Sequence, residues 1–140
     1  MCISSTPDPA AVFLRKAEQD NRLAHILLPL NEPVEEALGF HCQQAVEKAL
    51  KAVLSVHGVG FRRTHDIAEL LDLLRDAGHA APATLDHCDT LTAYAVSYRY
   101  ETLDDLSRSA VNRGEMVAWS DSAVAWASTT FRSSAGPSQP

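Results

Sequence analysis

The chain has 140 residues, 46% of them apolar and 21% charged, which fits one soluble globular domain large enough to build a core without staples. Its formal net charge of −6 argues against broad capture of duplex DNA, which needs clustered cations to release counterions. Any nucleic acid or nucleotide would have to be met by a local group of Lys and Arg.

No apolar run approaches the roughly 20 residues that span a bilayer. The opening MCISSTPDPAAVF lacks the basic and apolar regions of a secretory signal. Cys2, Cys42 and Cys88 are sparse and without CxxC spacing, as expected of reduced thiols in a cytoplasmic protein.

Taken in chain order, the pattern is helical throughout, and no stretch alternates strictly enough to predict a strand. A first helix is expected from about Asp8 to Leu28, with Pro7 and Pro9 at its start and Pro29 closing it. The segment around Asn31 is expected to cap a second helix, from near Pro33 to about His57, that ends at Gly58 and Gly60 in a left-handed C-cap. On this second helix Phe40, Ala45, Ala49, Ala52, Val53 and Val56 cover a wide apolar arc, which predicts the central position in the domain. Gln44, Lys48, Lys51 and Ser55 fall in one narrow polar stripe, fit either for a solvated edge or for the lining of a cleft.

Thr64 is the expected N-cap of a short third helix, with Asp66 favourable in its first turn. Ile67, Leu70, Leu71 and Leu74 give that helix the cleanest amphipathic signature in the chain, and Gly78 ends it. Pro82 is expected to open a fourth helix that reaches Tyr100 through Leu85, Cys88, Leu91 and Ala95. Thr102 with Asp105 resembles a capping box for a fifth helix, carrying Leu103, Leu106, Ala110, Val117, Val124, Ala127 and Phe131. The expected architecture is all-α: an up-and-down four-helix bundle with one short additional helix over residues 1–132. Residues 133–140, SSAGPSQP, are expected to be a disordered tail. Trp119 and Trp126 add more apolar surface to the fifth helix than one bundle face requires, which predicts a homodimer through the fourth or fifth helix.

The six histidines do not predict a metal site. His41–Cys42 and His87–Cys88 are adjacent pairs whose side chains point about 100° apart on a helix, and no Glu-x-x-His motif is present. GVG at 58–60 lacks the Gly-Lys-Ser/Thr of a phosphate loop, and Cys42 sits mid-helix with no evident base. Two spots remain. In RRTHD, residues 62–66, Arg62, Arg63 and His65 stand at a helix N-terminus, where backbone N–H groups favour an anion. In AVSYRYETLDD, residues 95–105, Arg99 lies between Tyr98 and Tyr100, offering a donor fork and a stacking surface suited to a phosphate and a base.

The order RKAEQDNRLAHILL, FHCQQAVEKALKAVL, RTHDIAELLDLL and YAVSYRYE resembles the HEPN domain in its stand-alone bacterial form, over about residues 10–128. The resemblance implies a helical bundle, commonly a homodimer, often paired with a minimal nucleotidyltransferase in a toxin–antitoxin arrangement. Many such domains are metal-independent ribonucleases that use an Arg-x4–6-His motif. Here the positions four to six beyond Arg99 hold Leu103, Asp104 and Asp105, and Arg75 to His79 is one residue short. The resemblance therefore implies a module that binds RNA or a nucleotide through Lys48, Lys51, Tyr98 and Arg99, with no cofactor, no metal and no membrane, beside a nucleotidyltransferase partner. The alternatives are an active ribonuclease toxin, with Arg99 and a displaced acid–base residue, His65, as catalytic candidates, and a purely structural dimerising module.

Overall fold

The computed structural model describes residues 7–95 and 112–134. Among the described residues the long α-helices are α1 (Pro9–Leu27), α2 (Glu35–Val56), α3 (Ile67–Asp76) and α4 (Arg113–Ser134). Two short 3₁₀ turns, Ala83–Leu85 and Cys88–Leu91, lie between α3 and α4. No strand occurs among the described residues, so the chain is the all-helical bundle expected of it.

Asp8 caps α1 by accepting the Ala10 N–H, and Pro9 takes the first helical position, where its missing donor costs nothing. The helix then presents Ala10, Leu14, Ala17, Asp20 and Ala24 to the interior. The start of α2 differs from expectation. Asn31 does not cap it; the helix begins at Glu35, behind Val34, with no side-chain cap. Pro33 offers no N–H and the chain turns through Glu32 and Val34 first, while Glu35 and Glu36 in the first turn complement the helix dipole. Gly58 closes α2 with φ of 68°, a conformation that favours glycine.

Arg113, at the start of α4, donates to the carbonyls of Leu28, Leu30 and Glu32 and pairs with Glu35. That contact sets the start of α4 at the end of α1 and the beginning of α2. Phe13, near the start of α1, meets Phe61 beyond the end of α2. α1 therefore runs antiparallel to both α2 and α4, in up-and-down fashion. The α2 helix is central: thirteen of its 22 residues are buried, against five of 19 in α1 and six of 22 in α4. Ala45, Ala49, Val53, Leu70, Leu74 and Leu91 are all core residues, as their spacing predicts, and Leu38 joins them. Leu106 lies outside the described residues.

At α3 the cap is Asp66, whose carboxylate accepts the Glu69 N–H. Thr64, the expected cap, accepts the Asp66 N–H instead and shapes the approach. Gly78, with φ of 87°, ends the helix region. The continuous fourth helix expected from Pro82 does not form over its first half. His87 takes a left-handed conformation with φ of 71°, and the Thr90 hydroxyl donates to the His87 carbonyl. A short polar side chain offers the backbone a local partner here, and tight turns replace the α-helix. Residues 92–95 are helical; the rest of that expected helix, and the start of the fifth at Thr102, lie outside the described residues. Asn112 caps α4 by accepting the Glu115 N–H, and Ser133 and Ser134, expected in the tail, form its last turn.

Two aromatic expectations resolve differently from their premise. Trp119 belongs to the core, and Trp126 is half-buried and packs against the core cluster, so neither supplies an exposed patch. Among the described residues the exposed large apolar side chains are Leu23, Ile26 and Leu30. Tyr94 is buried with its ring laid against Gly39, where a methyl group would overlap it. Gly39 thus lets the segment after the 3₁₀ turns dock on α2.

Candidate polar site along helix α2

The polar side chains of α2 divide into two strips, each organised by one buried carboxylate. In the first, Asp20 of α1 receives His41 Nδ1 on one oxygen at 2.9 Å and Lys48 Nζ on the other at 3.0 Å. These two α2 residues are seven positions apart, two turns, and so reach one acceptor on the facing helix. The three side chains are between 13% and 25% exposed.

The second strip is deeper. Gln43, Glu47 and Lys51 recur every fourth residue and all three are buried. Glu47 accepts from Lys51 Nζ at 2.7 Å, from Gln43 Nε2 at 2.8 Å and from His65 Nδ1 at 3.0 Å. Gln44 extends the chain by donating to Gln43 Oε1, and Gln43 Nε2 also reaches the His65 carbonyl. Burial by itself would push the Glu47 carboxyl up; the donors Lys51, His65 and Gln43 outweigh it and hold the group below the usual carboxylate range. The Lys51 ammonium also lies 5.8 Å from the centroid of the Phe61 ring, within range of a cation–π contact.

His65 is held differently from its neighbours. Its side chain is 63% exposed, although its partner Glu47 is 4% exposed. Ring and carbonyl are both tied to the buried strip. Two residues on, the Ile67 N–H donates to Thr92 Oγ1. Arg62 is taken up by Glu69 in a two-pronged pair. Arg63 is exposed and makes no ion pair among the described residues.

The residues predicted from sequence are therefore distributed as follows. Lys48 and Lys51 are both on α2 and both paired, with Asp20 and Glu47 respectively. His65 stands beside Lys51 through their shared acceptor, Glu47. Tyr98 and Arg99 lie outside the described residues. Sequence reasoning missed Asp20, Gln43 and Glu47. The i, i+4 spacing of Gln43, Glu47 and Lys51 was a usable signal for the last two; the role of Asp20 depends on the packing of α1 against α2.

Other chemistry is weakly represented. Burial pushes the Cys42 and Cys88 thiols up to about 12, so neither is a thiolate nucleophile near neutral pH. No group of three or more metal-ligating side chains occurs among the described residues. No described helix is long and apolar enough to cross a membrane.

Comparison with known proteins adds two findings. The model of the HEPN domain family matches residues 10–117, which includes both strips, the RRTHD loop and the Tyr98–Arg99 pair. A curated protein of Methanocaldococcus jannaschii, named "Putative toxin MJ1304", is 44% identical over 54 residues. That alignment covers 39% of this chain and 34% of the relative, so the match spans about a third of the relative's length. No solved structure matches.

Proposed function

We propose that this chain, which belongs to the HEPN domain family, binds RNA or a nucleotide beside the polar strips of α2. It works as the toxin-type member of a toxin–antitoxin system with a minimal nucleotidyltransferase partner. The observation that carries this reading is the overlap of the family match, residues 10–117, with α2, where His41, Lys48 and Lys51, joined by His65 from the following loop, pair with buried carboxylates. The relative's name supports the toxin assignment. The nucleotidyltransferase, a homodimeric state and a cytoplasmic location belong to the same reading.

Lys48, Lys51, Tyr98 and Arg99 are the proposed ligand-binding residues. Lys48 gives one N–H to Asp20, and an ammonium carries three donors, so it retains capacity for a phosphate oxygen. Lys51 stands deeper, with its side chain 9% exposed. Its contribution is to neutralise Glu47, which would otherwise repel an anion along the strip. Arg99, between two tyrosines, supplies the planar fork for phosphate and the rings supply the surface for a base.

The test is expression of the chain in a bacterial host, alone and with a minimal nucleotidyltransferase from its native host. Growth arrest by the chain alone, relieved by the partner, is the expected result. Unimpaired growth in both cases, with no complex recovered between the two proteins, would contradict the reading.

A further inference from the structure

Helix α1 buries one face against α2 and α4, through Ala10, Leu14, Ala17, Asp20 and Ala24. Along its outer side Lys16, Gln19, Leu23, Ile26 and Leu30 recur at intervals of three, four, three and four residues. That alternation is the seam of a helix that pairs with another helix. Leu23, Ile26 and Leu30 are 42%, 58% and 38% exposed, and they are the exposed large apolar side chains among the described residues. Single exposed leucines scattered over a surface are ordinary. Here all three continue one seam.

The apolar end of this seam is anchored. The Leu30 N–H donates to the Leu27 carbonyl, and Arg113 of α4 donates to the carbonyls of Leu28 and Leu30. On the flank, His25 pairs with Asp121 of α4 at 2.7 Å. The backbone here is tied to the bundle while its outer side chains stand in solvent.

Charge says what fits the face. Arg15 and Arg22, seven residues apart, run beside the seam at the positions where paired helices carry the charges that choose their partner. Arg15, Lys16 and Arg22 are exposed and make no ion pair among the described residues. Asp20, on the inner side, is occupied by His41 and Lys48. Glu18 is turned about 140° from Leu23 around the helix, off the seam. A protein of net charge −6 thus carries an uncompensated row of cations beside an apolar stripe.

We propose that the outer face of α1 docks a helix of a different protein, one whose apolar stripe is flanked by Glu or Asp. A second copy of this chain fits poorly. Antiparallel pairing would set Arg15 and Arg22 against Arg22 and Arg15, and parallel pairing would set Lys16 on Lys16. An anionic membrane would have to hold a protein of net charge −6, and RNA would find no aromatic ring in this seam for its bases. The apolar half of the seam is short, so the expected affinity is in the micromolar range. This surface is separate from the polar strips of α2 and does not rest on the RNA-binding reading.

The experiment measures binding of the full chain to a fluorescent helical peptide with a leucine stripe flanked by glutamates, and to the same peptide with lysines for the glutamates. The glutamate peptide should bind about tenfold or more tightly than the lysine peptide at low salt. That preference is opposite to the one the net charge of −6 would give. Ile26→Asp should lose about tenfold or more of the affinity, as for a central interface side chain. Arg15→Glu with Arg22→Glu should reverse the preference between the two peptides, which a merely loosened fold would not do. These positions are exposed, so Tm should stay unchanged. Sedimentation, phosphatidylcholine–phosphatidylglycerol vesicles and single-stranded RNA are run with the same proteins. Equal binding of the two peptides, or binding unaffected by Ile26→Asp, overturns the proposal. So does failure to bind the glutamate peptide beside self-association, vesicle binding or RNA binding that Ile26→Asp abolishes, which gives the face to a second copy, a membrane or RNA.

Discussion

Lys51→Ala is expected to destabilise the protein by about 3–5 kcal/mol, the range for removing one partner of a buried ion pair. Lys51 and Glu47 have side chains only 9% and 4% exposed, so truncating the lysine leaves a carboxylate inside the bundle with Gln43 and His65 as its remaining donors. Replacing both residues with apolar ones of similar size, Lys51→Met with Glu47→Leu, should recover most of that loss, because two well-packed hydrophobes remove the desolvation cost along with the attraction. Chemical denaturation of the three proteins checks this. The pH dependence carries a sign as well. In the parent, the folded-state pKa of Glu47 lies below its ordinary value of 4.5. Its stabilising contribution is therefore present above about pH 4.5 and fades as pH falls through the lower, folded value. In Lys51→Ala the lysine's lowering influence on Glu47 is gone while burial and the His65 and Gln43 donors remain, so its folded pKa lies higher than in the parent and acidification stabilises the variant relative to the parent. The gap between the two proteins should narrow as pH falls. A gap independent of pH would place the loss in packing and not in Glu47.

Leu74→Ala is the second large effect, expected at about 2–5 kcal/mol. Leu74 is fully buried, together with Ile67 and Leu70, on the face that α3 presents to the core. With ten residues, α3 is too short to hold its helix by propensity, and depends on that face for its stability. Leu71, half-buried on the flank of the same helix, should cost clearly less when truncated. Thermal unfolding of the two variants compares them directly. A Leu74→Ala protein as stable as the parent would break the account of α3. Because α3 starts two residues after His65, its loosening should also release the ring from Glu47.

The contrast between these sites shows what could be read before any coordinates. The periodicity of Ile67, Leu70 and Leu74 has one physical cause, the 3.6-residue turn against a single apolar layer, and it located α3 and its buried face. The wide apolar arc of Phe40 to Val56 likewise gave α2 its central place. Lys51 was harder. Its place in a polar stripe with Gln44, Lys48 and Ser55 fits a solvated edge or a cleft, and the side chain is in fact buried against a carboxylate one turn earlier. The i, i+4 spacing of Glu47 and Lys51 is local, but the reason they are inside is not: His65 arrives from a loop 18 residues along the chain, and Phe61 covers the ammonium. Asp20 reaches His41 and Lys48 only because α1 packs antiparallel to α2. The break near His87 had a different origin. Propensity favoured continuing a helix from Pro82, and local hydrogen bonding at His87 and Thr90 won.

The central proposal is that Lys48 and Arg99 meet a phosphate-bearing ligand on an otherwise acidic protein. The most direct measurement is equilibrium binding of labelled RNA, and of nucleotide in competition, to the parent, Arg99→Ala and Lys48→Ala. On that proposal, Arg99→Ala is expected to lose a charge-assisted contact of about 1.5–3 kcal/mol, roughly a ten- to hundredfold drop in affinity. Lys48→Ala should lose less, since a flexible ammonium gives up a point charge already shared with Asp20. Both losses should shrink at high salt. Unchanged RNA and nucleotide binding by Arg99→Ala, with dimerisation lost instead, would contradict the proposal and leave a structural dimerising module in its place.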